Sequence, residues 1–154
     1  MIDPNGIAHI QLTVSDLDRS RPFYRMLLHE TFGMTIQYDD ERSFYCIGGR
    51  TGVLLTASPT GGQPPFDQQR IGLHHFCFRL RSREDIDKLH QALVRFGAKV
   101  VRVPDDGPWA PGYYSILFED PDGIRIEANF VPGRGNLDVI KDKPLERPPV
   151  GPGA

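Results

Sequence analysis

Residues 9–28 read HIQLTVSDLDRSRPFYRMLL, and this stretch changes from a strand pattern to a helix pattern at its seventh residue. From residue 6 to residue 14, apolar and polar side chains alternate, and this period of two predicts a half-buried strand. One face of the predicted strand carries Ala8, Ile10, Leu12 and Val14, and the other carries His9, Gln11 and Thr13.

The helix that follows is predicted from a capping pattern. Ser15 and Asp18 form an S-x-x-D signal for a helix that runs to about His29. Pro22 is acceptable in the first turn of this helix and would kink it if it lay deeper. Short strands are then predicted near residues 35–39, 43–48 and 52–57.

The same order of elements begins again after residues 58–71, a stretch rich in Pro, Gly and Gln that is predicted to be a linker. Residues 75–80, HFCFRL, align with HIQLTV of the first strand, and Ser82 with Asp85 repeats the S-x-x-D signal. Helical spacing follows in Ile86, Leu89, Leu93 and Phe96, with Gly97 as the C-terminal cap. Further strands are predicted near residues 98–103, 113–118 and 123–130.

This repeated order predicts an α+β fold of two βαβββ modules. We expect one domain over residues 1–133, with modules at about 6–57 and 72–131. Residues 134–154 are rich in Pro and Gly and are predicted to be a tail, mobile or lying on a partner subunit. Residues 104–112, which contain the tryptophan, are predicted to be either a plain connection or a lid over a pocket.

Composition limits the classes of function. The 154 residues are 39% hydrophobic and 25% charged, as in ordinary globular proteins, and the net charge of -2 gives no basic field for nucleic acid or an anionic membrane. The sequence has no 18-residue apolar run and no signal-peptide pattern. Two cysteines, Cys46 and Cys77, are too few for a disulfide framework, so a cytoplasmic location is expected.

Three polar residues occupy corresponding strand positions. His9 begins the polar face of the first strand, His75 begins that of the strand opening the second half, and Glu127 lies on the polar face of the last strand. Because helices must cover the apolar faces, the polar faces are predicted to line a shared cavity. Two imidazoles and a carboxylate there suit a divalent metal, with Fe2+ or Mn2+ favoured and Zn2+ or Ni2+ as alternatives.

Other polar residues are candidates for binding a small-molecule substrate on the same faces. Arg79 is the best of them, since a buried guanidinium needs an anionic partner. It is also a candidate catalytic residue with Tyr113 and Tyr114, one of which should face inward. His74 is predicted to be buried or to face a helix. The substrate-binding candidates are Gln11, Thr13, Cys77, Arg79, Arg125 and Asn129.

The chain resembles the vicinal oxygen chelate superfamily, which includes glyoxalases, fosfomycin-resistance proteins, extradiol dioxygenases and bleomycin-binding proteins. The resemblance lies in residues 9–28, in GLHHFCF at 72–78 and in FEDPDGIRIE at 118–127, and it covers roughly residues 6–131. It implies paired βαβββ modules that form a funnel, with a metal held by His9, His75 and Glu127. Related two-module proteins usually dimerise, so a homodimer is expected, with the site built within one chain or across a swapped pair.

Departures from the family pattern narrow the reaction. When Gly52 is aligned with Gly123, Thr56 is equivalent to Glu127. Glyoxalase I uses a fourth protein ligand at the position of Thr56. Lactoylglutathione lyase activity is therefore disfavoured. Extradiol dioxygenases and fosfomycin thiol transferases use three ligands, but both commonly carry a tyrosine where this chain has Leu117. No histidine between His29 and His74 supplies the acid/base group of an extradiol enzyme.

The sequence therefore predicts a divalent-metal-dependent enzyme whose metal chelates two neighbouring oxygens of a small substrate. Dioxygenase-like ring cleavage is favoured, and glyoxalase-like or fosfomycin-type thiol transferase chemistry is the alternative. A second class is a drug- or metabolite-binding protein of the bleomycin-resistance kind. A third is a regulatory module with a vestigial site.

Overall fold

The structure is a computed structural model that describes residues 2, 6–62 and 64–133. The tail predicted for residues 134–154 lies outside the described residues. The first four strands and the first helix are β1 (His9–Val14), α1 (Leu17–Tyr24), β2 (Thr35–Asp39), β3 (Ser43–Gly48) and β4 (Thr51–Ala57). They are followed by β5 (Phe76–Arg79), α2 (Arg83–Phe96), β6 (Lys99–Asp106), β7 (Tyr114–Glu119) and β8 (Arg125–Phe130).

The strands form two four-stranded sheets with the same topology. Their orders are β1-β4-β3-β2 and β5-β8-β7-β6. In each sheet the first strand pairs in parallel with the last, and the other pairs are antiparallel. This arrangement confirms the α+β class and the two βαβββ modules.

The chain divides into two compact units. The first is Met1–Asp67 with the short segments Phe96–Ala98 and Asp120–Ile124. The second is Gln68–Arg95, Lys99–Glu119 and Arg125–Ala154. The single domain expected over residues 1–133 stays a prediction.

In the first unit, alternation along β1 sorts the side chains as expected. Leu12 and Val14 are buried, whereas His9, Gln11 and Thr13 are exposed. Buried residues of the helical segment and of β3 and β4 supply the rest of this core: Leu17, Phe23, Tyr24, Leu27, Leu28, Phe44, Cys46, Val53 and Leu55.

Helix α1 begins one residue later than the S-x-x-D signal predicted. Asp16 is the N-cap, and its carboxylate accepts hydrogen bonds from the backbone N–H groups of Asp18 and Arg19. Ser15 instead donates its hydroxyl to Asp122, at 2.6 Å. A carboxylate one residue along satisfies the free N–H groups equally well, so the motif located the helix but not its cap.

Pro22 is the sixth residue of α1 and therefore lies beyond the first turn. Because proline lacks an N–H group, it cannot donate an α-helical hydrogen bond at this point. The chain continues from Arg25 to Thr31 as a π-helix, and the Phe32 N–H donates to the Leu27 carbonyl at 3.1 Å. The predicted helix thus extends past His29, with a change of helix type in its second half.

In the second unit, Ser82 caps α2 as predicted, since its hydroxyl accepts a hydrogen bond from the Asp85 N–H at 3.1 Å. The buried residues Ile86, Leu89 and Leu93 form the apolar stripe of α2. Strand β6 extends to Asp106, so the connection that follows is shorter than the predicted loop 104–112. None of the helices among the described residues is long and apolar enough to cross a membrane.

The turn at residues 120–124 is organised by the buried carboxylate of Asp120. Its Oδ1 accepts from the backbone N–H groups of Asp122 and Ile124, at 2.9 and 2.8 Å, and its Oδ2 accepts from the Tyr24 hydroxyl at 2.9 Å. Gly123 has a φ of +84°, a conformation that glycine adopts without strain. The DPDG run therefore needs no catalytic role to explain it.

Burial raises the pKa of Asp120 to about 6, although the hydrogen bonds from Tyr24 and Ile124 oppose this shift. In the unfolded chain an aspartate has a pKa of about 4. The folded state therefore binds a proton more tightly, and this stabilising effect is complete below pH 4 and lost as the pH rises through 6.

We expect Asp120→Asn to remove this pH dependence, because the amide is neutral at every pH and keeps an acceptor oxygen. Relative to the variant, the wild-type free energy of unfolding should fall by up to about 3 kcal/mol between pH 4 and 7. Urea unfolding across this range measures it, with Asp18→Asn as an exposed control. Parallel wild-type and Asp120→Asn profiles would contradict the assignment.

Candidate functional site

The second sheet carries its polar side chains on one face. Strand pairing places Cys77 opposite Glu127, Arg79 opposite Asn129 and Leu117 opposite Glu127. The polar face is defined here as Cys77, Arg79, Arg102, Ser115, Leu117, Glu119, Arg125, Glu127 and Asn129. Alternate residues of β7 and β8 are Ile116, Phe118, Ile126 and Ala128, all fully buried. Period two thus separates the core of this unit from its polar face.

His75 and Glu127 meet next to this face. The His75 Nε2 lies 3.0 Å from the Glu127 Oε2, and Glu127 is buried, with 7% of its surface exposed. Two ligand atoms that each lie about 2.1 Å from one metal ion, at a right angle to each other, are about 3.0 Å apart. The pair therefore has the chemistry and the spacing of two neighbouring metal ligands.

The second carboxylate oxygen of Glu127 is held by tyrosine. The Tyr113 hydroxyl donates to the Glu127 Oε1 at 2.7 Å, and it accepts from the Asn129 Nδ2 at 3.0 Å. The two carboxylate oxygens consequently face different partners. One is fixed by a neutral hydrogen-bond chain, and the other points at the imidazole.

These contacts decide the ionisation of the carboxylate. Burial raises the pKa of Glu127, but hydrogen bonds from His75, Tyr113 and Ser115 lower it by more, so its net pKa is below the ordinary value. Glu127 is thus ready to act as an anionic ligand at neutral pH. The same surroundings raise the pKa of Tyr113, mainly through burial, so its hydroxyl keeps the proton that it donates.

Of the two adjacent tyrosines, Tyr113 is the one that reaches the polar face. Tyr114 donates its hydroxyl to Asp87 of α2 at 2.8 Å, and the Arg83 guanidinium lies 3.8 Å from the centre of its ring. Tyr114 therefore links the sheet to its helix and is separated from Glu127.

His74 is not buried as predicted. It is exposed, and its Nδ1 lies 2.7 Å from the Nδ1 of His75, with the two rings at an angle of 74°. Strand β5 begins at Phe76, so the alternation used to place His74 does not reach that far. The contact occupies the Nδ1 of His75, which leaves the Nε2 for Glu127 or a metal.

The remaining candidates of the second unit are dispersed. Arg125 is paired with Glu119 at 3.3 Å, and Lys99 contacts the same carboxylate at 2.7 Å. Cys77 and Arg79 are exposed on β5, and the Cys77 thiol lies 3.6 Å from the Phe78 carbonyl. Arg125 is thus engaged in an ion pair, whereas Cys77 and Arg79 remain accessible.

In the first unit, His9, Gln11 and Thr13 share the exposed face of β1. The Gln11 side chain donates to the Thr56 hydroxyl at 3.5 Å. In the second unit, Cys77 lies two residues after His75 and pairs with Glu127. In the first unit, the equivalent residue is Gln11, two residues after His9, and it pairs with Leu54. Strand pairing therefore puts Leu54, rather than Thr56, at the place corresponding to Glu127. Neither Leu54 nor Thr56 has a carboxylate with which to bind a metal ion.

Two further residues of the polar face, Arg102 and Ser115, were not predicted from the sequence as site residues. The Arg102 Nη2 donates to the Ser115 hydroxyl at 2.8 Å and lies 3.5 Å from the Glu127 Oε1. A signal was present, since Arg102 interrupts a run of valines in KVVRV at residues 99–103. Its place on the polar face depends on an irregularity of strand pairing that the pattern does not reveal.

Of the three predicted metal ligands, His75 and Glu127 are in contact, and His9 belongs to the other unit. Within residues 2, 6–62 and 64–133, no group of three or more His, Cys, Asp or Glu side chains is arranged to hold a metal ion. The three-ligand centre stays a prediction.

Known proteins resemble this chain over most of its length. The profile of the Glyoxalase/Bleomycin resistance protein/Dioxygenase superfamily matches residues 6–128. The uncharacterized protein YqjT of Bacillus subtilis (strain 168) is 31% identical over 128 residues, which are 77% of this chain and 94% of that protein. The metallothiol transferase FosB of Shouchella clausii (strain KSM-K16) is 26% identical, over 81% of this chain and 80% of that protein.

Solved structures share the fold. The crystal structure of a glyoxylase/bleomycin resistance protein/dioxygenase domain from Frankia sp. EAN1pec superposes with a TM-score of 0.68 at 27% identity. The match covers 83% of this chain and 98% of the Frankia domain.

We expect Tyr113→Phe to weaken metal binding about tenfold, because the variant loses the hydrogen bond that fixes the Glu127 Oε1. Calorimetric titration with Mn2+ or Zn2+ measures this. Tyr114→Phe is the matched control, since its hydroxyl contacts Asp87 and should not alter the affinity. Equal metal affinity of Tyr113→Phe and wild type would show that the hydrogen bond does not orient the carboxylate.

Proposed function

Because the chain belongs to the Glyoxalase/Bleomycin resistance protein/Dioxygenase superfamily, we propose that it is a divalent-metal-dependent enzyme acting on a small oxygen-bearing substrate. Members of this superfamily typically depend on a divalent metal. The observation that carries the proposal is the 3.0 Å approach of the His75 Nε2 to the Glu127 Oε2.

In this proposal, His9, His75 and Glu127 hold the metal. His9 is included because it opens β1 as His75 precedes β5, and because it lies on the exposed polar side of its strand. Three protein ligands leave positions open for two neighbouring substrate oxygens. The metal would act there as a Lewis acid and as a template.

The chain's own residues supply orientation. Tyr113, whose hydroxyl accepts from Asn129, holds one oxygen of Glu127, and His74 occupies one nitrogen of His75, so each ligand has a fixed direction. Pre-orientation of this kind strengthens metal binding, because less freedom is lost when the metal binds. The exposed Cys77 and Arg79 lie on the adjacent strand, where substrate could reach them.

Among specific reactions, we favour thiol transfer over ring cleavage. The similarity to a metallothiol transferase extends over 81% of this chain and supports this choice. The two residues that could correspond to a fourth ligand are Leu54 and Thr56, and neither is a carboxylate. This weighs against a four-ligand lyase site. Ring cleavage, which the sequence favoured, becomes the alternative, and a drug- or metabolite-binding role is the candidate from a different class.

A homodimer is part of the proposal. Superfamily domains typically bind small molecules and act as dimers. A two-fold assembly would also allow His9 of one copy to approach His75 and Glu127 of another. Mixing His9→Ala and Glu127→Ala proteins would test this: restored activity in the mixture supports a shared site.

The first test is metal content. We expect the purified protein, reconstituted without oxygen, to bind one divalent ion per chain, and His75→Ala or Glu127→Ala to lose this stoichiometric binding. Elemental analysis after gel filtration measures it. Glu84→Ala is the matched control, because Glu84 is exposed on α2 and pairs with Lys88. A wild-type protein that takes up no metal would refute the proposal.

The second test is turnover by the metal-loaded protein. We expect addition of a thiol to an epoxide substrate and little conversion of 2-oxoaldehydes or catechols. Product analysis by mass spectrometry separates the three reactions. Ligand protection that persists in a His9→Ala, Glu127→Ala double variant, without turnover, would instead favour the binding protein.

A further inference from the structure

The connection between β6 and β7 is closed by its own backbone. The Gly107 N–H donates to the Tyr113 carbonyl at 3.0 Å, and the Tyr113 N–H donates to the Ala110 carbonyl at 3.0 Å. Ala110 is buried in one cluster with Tyr113 and with Val131, the residue that follows β8. These contacts tie residues 107–113 to the end of β8 and place Tyr113 immediately before β7.

The Trp109 indole lies against the Tyr113 ring. The two ring centres are 5.0 Å apart, and the ring planes make an angle of 57°. Aromatic pairs at this separation attract each other through their ring edges as well as by burying area. The central carbon of the Arg102 guanidinium also lies 5.2 Å from the centre of the indole. The indole therefore restrains the Tyr113 ring from outside the cluster.

Gly107 makes this packing possible. A Cβ atom at this position would lie 2.2 Å from the Trp109 indole and 2.9 Å from the Cδ1 of Tyr113. Carbon atoms in favourable contact are about 3.5–4.0 Å apart, so a larger residue would displace the indole, the Tyr113 ring or both. The absence of a side chain at Gly107 thus lets both rings lie directly on the backbone of the loop.

The far end of the Tyr113 ring carries the hydroxyl that reaches Glu127. This hydroxyl donates to the Glu127 Oε1 at 2.7 Å and accepts from the Asn129 Nδ2 at 3.0 Å. A displacement of the ring would lengthen or bend both hydrogen bonds, and hydrogen bonds weaken steeply when their geometry is lost. A contact that restrains the ring therefore also restrains the Glu127 carboxylate.

We propose that Trp109 is a positioning residue of the metal site, which acts through Tyr113 on Glu127. This inference rests on the proposed metal-dependent function and adds a further layer of support behind its carboxylate ligand. Trp109 remains 39% exposed, so it is used only in part as a core residue. Its two printed neighbours, Tyr113 and Arg102, both contact the Glu127 Oε1. Support behind a ligand raises metal affinity, because the ligand loses less freedom on binding.

The test is a double-mutant cycle on Mn2+ affinity, measured by calorimetric titration of wild type, Trp109→Ala, Tyr113→Phe and the double variant. We expect Trp109→Ala to lower the affinity of the wild type by about threefold or more. In the Tyr113→Phe background it should have no effect, because the hydroxyl through which Trp109 acts is already absent. Trp109→Phe keeps an aromatic ring and should restore most of the affinity.

Gly107→Ala tests the same route without removing a ring. The added methyl group should displace the rings and lower the Mn2+ affinity to a similar extent. It should also shift the fluorescence of Trp109, the single tryptophan of the sequence. Phe96→Ala is the matched control and should leave the affinity unchanged, since Phe96 is a comparably exposed aromatic residue of the first unit.

Circular dichroism and metal stoichiometry are measured on every variant. Equal Mn2+ affinity of wild type and Trp109→Ala would overturn this inference and leave the proposed function intact. An equal loss on Trp109→Ala in the wild-type and Tyr113→Phe backgrounds would do the same, since Trp109 would then not act through the hydroxyl. No metal uptake by the wild type would overturn both.

Discussion

The burial of one carboxylate governs the second unit. Glu127 lies among β-strand neighbours with 7% of its surface exposed, and a charge in that position is costly unless it is paired and hydrogen-bonded. Tyr113 satisfies one oxygen and His75 meets the other. The positions of Asn129 and Arg102 follow from the same requirement. Asn129 donates to Tyr113, which contacts Glu127, and Arg102 contacts the Glu127 carboxylate itself.

Much of the fold could be predicted because the deciding signals are local. Alternation identifies a strand wherever one face is buried, as in residues 9–14, and Ser82 marks the start of α2 through a single hydrogen bond. The contact between His75 and Glu127 could be anticipated for the same reason, since each occupies a polar position in an otherwise apolar pattern, and their role as metal ligands stays a prediction. Periodicity carries this information without any knowledge of the partner strand.

The features that escaped prediction depend on pairing between distant segments. Arg102 faces Glu127 because of a bulge, and the correspondence of Leu54 with Glu127 follows from the register of β1 on β4. Both are set by a neighbour that the local pattern does not contain. His74 was misplaced because strand alternation was extended past the end of β5. Tyr113 could be proposed as one of a pair, but the choice within the pair needed the strand boundary.

The turn at residues 120–124 has a consequence for synthesis of the protein. Asp122 bonds to Ser15 across 107 positions of the chain, and Asp120 joins the same unit through Tyr24. During synthesis on the ribosome, residues 15–24 emerge long before residues 120–124. Until then, Ser15 and Tyr24 lack their hydrogen bonds to Asp122 and Asp120. Closing such long-range contacts slows folding, so the last of the bonds at the start of α1 form late.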